Sequence, residues 1–154
     1  MPAMTNRQTG QTMVEFSLVV GAFLIVLFAA VSAAFHSIQR ATAETAAAAG
    51  VQLAASGSAA DPQTPVYGAS FGPTRDLLQP VMFGTAIVQG RDGPACATYA
   101  KNMQDGTLMV CAYQDQNLVA ERVVGIPSYI IPFIGRYVHW SIDVTVEMHQ
   151  VSYQ

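Results

Sequence analysis

The sequence predicts an α+β protein: a long N-terminal helix, transmembrane in its first half, followed by a small antiparallel β-rich domain. Three observations lead there. Hydrophobic residues make up 51% of the 154-residue chain and charged residues only 11%, an imbalance that comes largely from the first third. Residues 16–35 read FSLVVGAFLIVLFAAVSAAF without a formal charge, and about 20 residues rising ~1.5 Å each span the roughly 30 Å hydrocarbon core of a bilayer. Towards the C-terminus, Ile142, Val144, Val146 and Met148 alternate with Asp143, Thr145, Glu147 and His149, the period of a strand with one buried face.

Residues 1–10 are polar, hold Pro2, Arg7 and Gly10, and read as a leader. Arg7 and the amino terminus stand just ahead of the apolar run, so the positive-inside tendency puts the N-terminus in the cytoplasm. After Phe35 the sequence HSIQRATAETAAAAGVQLAAS continues in alanine, the best helix former, until Gly57 supplies a stop. Residues 11–56 are therefore expected to form one helix. Ser17 and Gly21 lie one turn apart on it, with Ala30, Ala34 and Ala41 as further small positions. Small residues let a neighbouring membrane helix approach closely, but they equally fit alanine-rich filling of a solvated helix. Residues 57–80, broken by Gly57, Pro62, Pro65, Gly68, Gly72 and Pro73, read as a linker or loop.

Residues 81–154 form the β-rich domain. Apolar, β-branched runs at 81–89, 107–113 and 118–124 read as strands, with turn signals at Asp92 and Gly93 and at Asp105 and Gly106. Residues 126–137 are apolar but contain Pro127 and Pro132, so they read as a broken helix or loop covering the sheet.

From Gly57 onward the chain has five basic residues against eight acidic ones. Nucleic-acid affinity needs clustered Lys and Arg, so no nucleic-acid partner is expected. The two cysteines, Cys96 and Cys111, fall in the part expected outside the cytoplasm, where a disulfide persists; two buried thiols are the alternative. No CxxC pair exists, and His36, His139 and His149 have no ligand spacing, so neither a metal nor a cofactor is expected. HExxH and P-loop patterns are absent too, and the scattered Asp and Glu residues have no spacing of a working pair, so no enzyme chemistry is expected.

The informative segment is Gly10-Gln11-Thr12-Met13-Val14-Glu15-Phe16 at the threshold of the apolar run. A glycine five residues before a lone glutamate resembles the prepilin signature of type IV pilins, in which a membrane aspartyl protease cleaves after the glycine. The resemblance implies cleavage between Gly10 and Gln11 by a prepilin peptidase, and an assembly role for Glu15 and Phe16. With its size and β-rich end, the chain looks like the TadE-like pseudopilins of tight-adherence (Tad) pilus systems. This resemblance covers residues 7–55. It implies a minor pseudopilin in the cytoplasmic (inner) membrane, or at the pilus or cell surface, whose partners are other pilin or pseudopilin subunits and Tad-type machinery. A major filament subunit shares the same signature, and a membrane-anchored exported binding module or enzyme is the remaining class. Glu15 has a physical reading of its own. A carboxylate at the edge of hydrocarbon needs a partner, which a freed Gln11 amine on an adjacent subunit would supply; alternatively Glu15 only complements the dipole of the first helical turn. A signal-peptidase site at Val31-Ser32-Ala33 competes with this processing, but the apolar run exceeds the ~7 to 15 residues of a signal peptide.

Overall fold

Alanine and leucine favour helix in the N-terminal third, and the computed structural model has one there. It describes residues 8–58, 66–115, 118–128 and 140–149. The elements are α1 (Gln8–Ser58), α2 (Val66–Leu78), β1 (Ala86–Gln89), α3 (Gly93–Tyr99), β2 (Thr107–Asp115), β3 (Leu118–Ile126) and β4 (Ile142–His149). The fold is α+β, a long apolar helix followed by a four-stranded mixed sheet. Two compact units divide at Ser37 and Ile38.

In the first unit, α1 is already helical at Gln8, so residues 8–10 of the expected leader belong to it; residues 1–7 lie outside the described residues. Its apolar side chains point outward, with Phe16 and Leu18 each 69% exposed and Ile25 72% exposed. Water disfavours a continuous apolar surface of this kind, while hydrocarbon accepts it. The helix is long and apolar enough to cross a membrane. Its serines are satisfied from within: Ser17 Oγ donates to Met13 O at 2.8 Å, Ser32 Oγ to Phe28 O at 2.7 Å and Ser37 Oγ to Ala33 O at 3.0 Å. Lipid demands as much, because it offers a hydroxyl no water.

In the second unit, Ala43, Ala46, Ala47, Gly50, Val51 and Ala54 of α1 are all buried, following the i, i+3, i+4, i+7 stripe of a helix with one packed face. These alanines are therefore contact residues. Ala43, Ala46 and Ala47 join Leu78, Met82, Leu108, Val110, Val123, Ile142 and Val144 in the main core, and their small side chains bring the helix backbone close to the sheet.

The expected linker at 57–80 contains α2. Its glycines and prolines favour a loop, yet Ser70, Thr74 and Leu78, spaced i, i+4 and i+8, are each 0% exposed. Burial of that face outweighs the hydrogen bond that Pro73 removes within the helix. The turn that follows, in which Met82 N donates to Leu78 O at 3.0 Å and Thr85 N to Met82 O at 3.0 Å, takes up residues expected to begin a strand, so β1 is only Ala86–Gln89.

β1 pairs parallel with β2, which makes the sheet mixed where an antiparallel one was expected. The parallel return requires a crossover, and α3 supplies it. Asp92 and Gly93, expected to form a turn, start this helix: the Asp92 side chain accepts from Ala95 N at 2.8 Å as an N-cap, with Pro94 in the first turn. β2 and β3 pair antiparallel from Thr107↔Ile126 to Asp115↔Leu118, and β3 and β4 from Leu118↔His149 to Gly125↔Ile142. Alternation along β4 is as expected, with Ile142 and Val144 buried and Asp143, Thr145, Glu147 and His149 exposed. Residues 129–139, including Pro132 and His139 of the expected cover, lie outside the described residues.

Candidate functional site

Among the described residues, the threshold of the apolar run is built by α1. Gly10 and Gln11 are in its first turns, so the bond expected to be cleaved is in helical backbone. The opening N–H groups of any helix lack partners within it, which makes this turn the easiest to unwind. Glu15 is exposed, four residues beyond Gln11 and hence one turn along the same face. Phe16 is exposed beside it, and Ser17 and Gly21 follow one turn apart. A Cβ built on Gly21 would meet nothing within 4 Å, so that face is open to an approaching helix.

Cys96 and Cys111 are joined by a disulfide with Cα atoms 6.1 Å apart. The bridge fastens α3 to β2. Both sulfurs sit in a second small core with Val124, flanked by Tyr99, Ala100, Met103 and Met109. Gly90 makes the room: a Cβ there would strike Cys111 Sγ and lie 3.1 Å from Met109.

A third constellation lies between α1, α2 and the sheet. Glu121 is 0% exposed, on the face of β3 that also carries Val119 and Val123. A Cβ on Gly50 of α1 would collide with Glu121 Oε2 and with Thr74 Oγ1 of α2, and would stand 2.8 Å from Glu121 Cδ. Thr74 Oγ1 donates to Ala46 O at 3.2 Å. Among the described residues, both Glu121 oxygens and Ser70 Oγ have no hydrogen-bond partner. Burial raises the Glu121 pKa from 4.5 to about 7, and the nearby Thr74 and Ser70 hydroxyls only partly offset that rise. On the opposite face Arg122 and Asp143 form a two-pronged pair, Nε to Oδ1 at 2.8 Å and Nη2 to Oδ2 at 2.7 Å.

No family model, curated protein or solved structure matches the chain.

The two glutamates lie in opposite surroundings. Glu15 is exposed ahead of the apolar run, while Glu121, counted from the sequence only towards net charge, is enclosed. A signal for it existed: in the run Val119-Ala120-Glu121-Arg122-Val123, strand parity puts Glu121 with the two valines. Among the described residues, no three His, Cys, Asp or Glu side chains converge as metal ligands. Gly50 and Gly90 left no local signal, because each serves a side chain distant in sequence.

Proposed function

We propose that this chain is a minor pseudopilin of the TadE-like kind, acting in pilus biogenesis. Its N-terminus lies in the cytoplasm, α1 anchors it in the inner membrane, and the β-rich unit is exported. A prepilin peptidase cuts between Gly10 and Gln11, and the mature chain joins other pilin-type subunits and the assembly machinery. The observation that carries this reading is Gly10 standing five residues before Glu15 at the entrance to an uncharged run of membrane length. Two further features support it. The outward-facing apolar surface of α1 around Phe16, Leu18 and Ile25 suits lipid and neighbouring helices, and the alanine stripe on its later part seats a small sheet. One helix thereby contributes residues to both units.

Two measurements test the proposal. Intact mass of the membrane form should begin at Gln11; a chain beginning at Met1, or at Ala34 after cleavage behind Ala33, would sink it. Glu15→Gln should leave membrane levels near normal, since removing a charge makes the segment easier to insert. Surface piliation and co-purification with other pilus components should fall, because a neutral amide cannot balance the amine charge of Gln11 on an adjacent subunit. Normal assembly by this variant would reduce Glu15 to a boundary residue. Copy number in sheared filaments separates a minor from a major subunit.

A further inference from the structure

We propose that Glu121 is a proton-operated latch that holds α1 and α2 on the sheet when neutral and loosens them when ionised. The inference is independent of the pilin reading, because it concerns only the unit beginning at Ile38.

The geometry gives the latch its moving part. Thr74 Oγ1 has one proton, and that proton bonds Ala46 O, tying α2 to α1. Towards Glu121, Thr74 therefore offers lone pairs, which a neutral carboxylic acid can use as a donor and a carboxylate cannot. Ser70 Oγ, without a partner of its own among the described residues, can turn its proton to the other acid oxygen. Protonated, Glu121 thus completes a short relay from β3 through Thr74 to the α1 backbone. Loss of the proton to solvent leaves an acceptor-only group in an enclosed site, and it can recruit the Thr74 proton only by taking it from Ala46 O. Ionisation thereby breaks the tie between the two helices. Gly50 leaves no slack, since even a methyl group there would overlap the Glu121 carboxyl and Thr74.

Among the described residues, no neighbouring charge relieves the carboxylate. On α1, residues 43–54 include only Glu44, which is 52% exposed and paired with Arg40. On α2, Arg75 and Asp76 are exposed. Across the sheet Glu121 is opposite Ala112 on β2 and Val146 on β4. Arg122, Asp143 and Glu147 have the opposite strand parity, and Arg122 and Asp143 are already paired. Among the described residues the site is therefore an uncompensated acid.

The pH direction follows. A carboxyl that binds its proton more tightly when folded gives full stability below its unfolded value of 4.5 and loses it as pH rises to about 7. Above that the loss levels off. The gap corresponds to roughly 300-fold tighter proton binding in the folded chain.

The test uses the full chain in detergent micelles. The unfolding midpoint of the unsubstituted protein should fall between about pH 5 and pH 8, and Glu121→Gln should lose most of that dependence. Hydrogen exchange, corrected for intrinsic rates, should show protection in α2 and residues 43–54 dropping at least about tenfold over the same interval, ahead of the hairpin formed by β2 and β3. Should the variant fail to fold, carbon NMR of the Glu121 carboxyl in the unsubstituted protein decides. A midpoint near 7 that coincides with the loss of protection supports the latch. Titration near 4.5, titration near 7 without loss of protection, or a Glu121→Gln variant that keeps the original pH dependence would each overturn it.

Discussion

Gly50→Ala tests a close approach between α1 and the sheet. Two effects of opposite sign compete. Alanine in a helix interior is favoured over glycine by about 0.8 to 1 kcal/mol. Against this, the new methyl would collide with Glu121 Oε2 and Thr74 Oγ1 and stand 2.8 Å from Glu121 Cδ, in a site where both side chains are 0% exposed and have nowhere to retreat. Overpacking of this kind costs about 1 to 3 kcal/mol, and displacing Thr74 also removes its 3.2 Å bond to Ala46 O, worth about 1 kcal/mol. The steric side wins, leaving a net destabilisation of roughly 1 to 3 kcal/mol. In a domain of this size that lowers the midpoint by about 4 to 8 °C per kcal/mol. Gly72→Ala is the control: a Cβ there meets nothing within 4 Å, and the gain in helix preference is blunted by the following Pro73, so its effect should be close to zero. Urea unfolding of the full chain in micelles, followed by fluorescence of the single tryptophan, Trp140, measures both. Removing the Glu121 carboxyl with Glu121→Ala should make Gly50→Ala less costly, since the two share one contact. A Gly50→Ala protein at least as stable as the original would refute the close packing.

Replacing Gly10 by isoleucine should leave the precursor uncut, seen as a band that retains residues 1–10; normal processing would show that the glycine is not read. Changing both Cys96 and Cys111 to alanine, or reducing the bridge, should destabilise the unit by about 3 kcal/mol from the chain-entropy estimate for a separation of 15 residues, measured as a shift of the urea midpoint. The Arg122 and Asp143 pair is partly exposed, at 23% and 42%, so a double-mutant cycle should give at most about 1 kcal/mol, declining with added salt.

Legibility in the sequence followed the range of the interactions. The apolar run at 16–35 and the alternation of β4 are properties of neighbouring residues, and both appear where the sequence put them. α2 was hidden because Gly72 and Pro73 are local helix breakers, while the evidence for the helix, the burial of Ser70, Thr74 and Leu78, depends on α1 and the sheet. The parallel pairing of β1 was hidden for a related reason. Asp92 and Gly93 fit a hairpin turn and a helix start equally well, and only α3 crossing a face of the sheet decides between them. Gly10 and Glu15 could be picked out by spacing, but Glu121 needed the added knowledge that helices close over its side of β3.

The burial of Cys96 and Cys111 makes their bond a recorder of opening events. Thiol–disulfide exchange needs a thiolate to reach a sulfur directly, and neither cysteine has any exposed surface. An external reductant must therefore wait for α3 to lift from β2. When the reductant is dilute, cleavage follows the population of that opened form; when it is abundant, cleavage follows the rate at which α3 detaches. Varying reductant concentration across these limits would yield both the equilibrium and the speed of one local motion, with no label added to the chain.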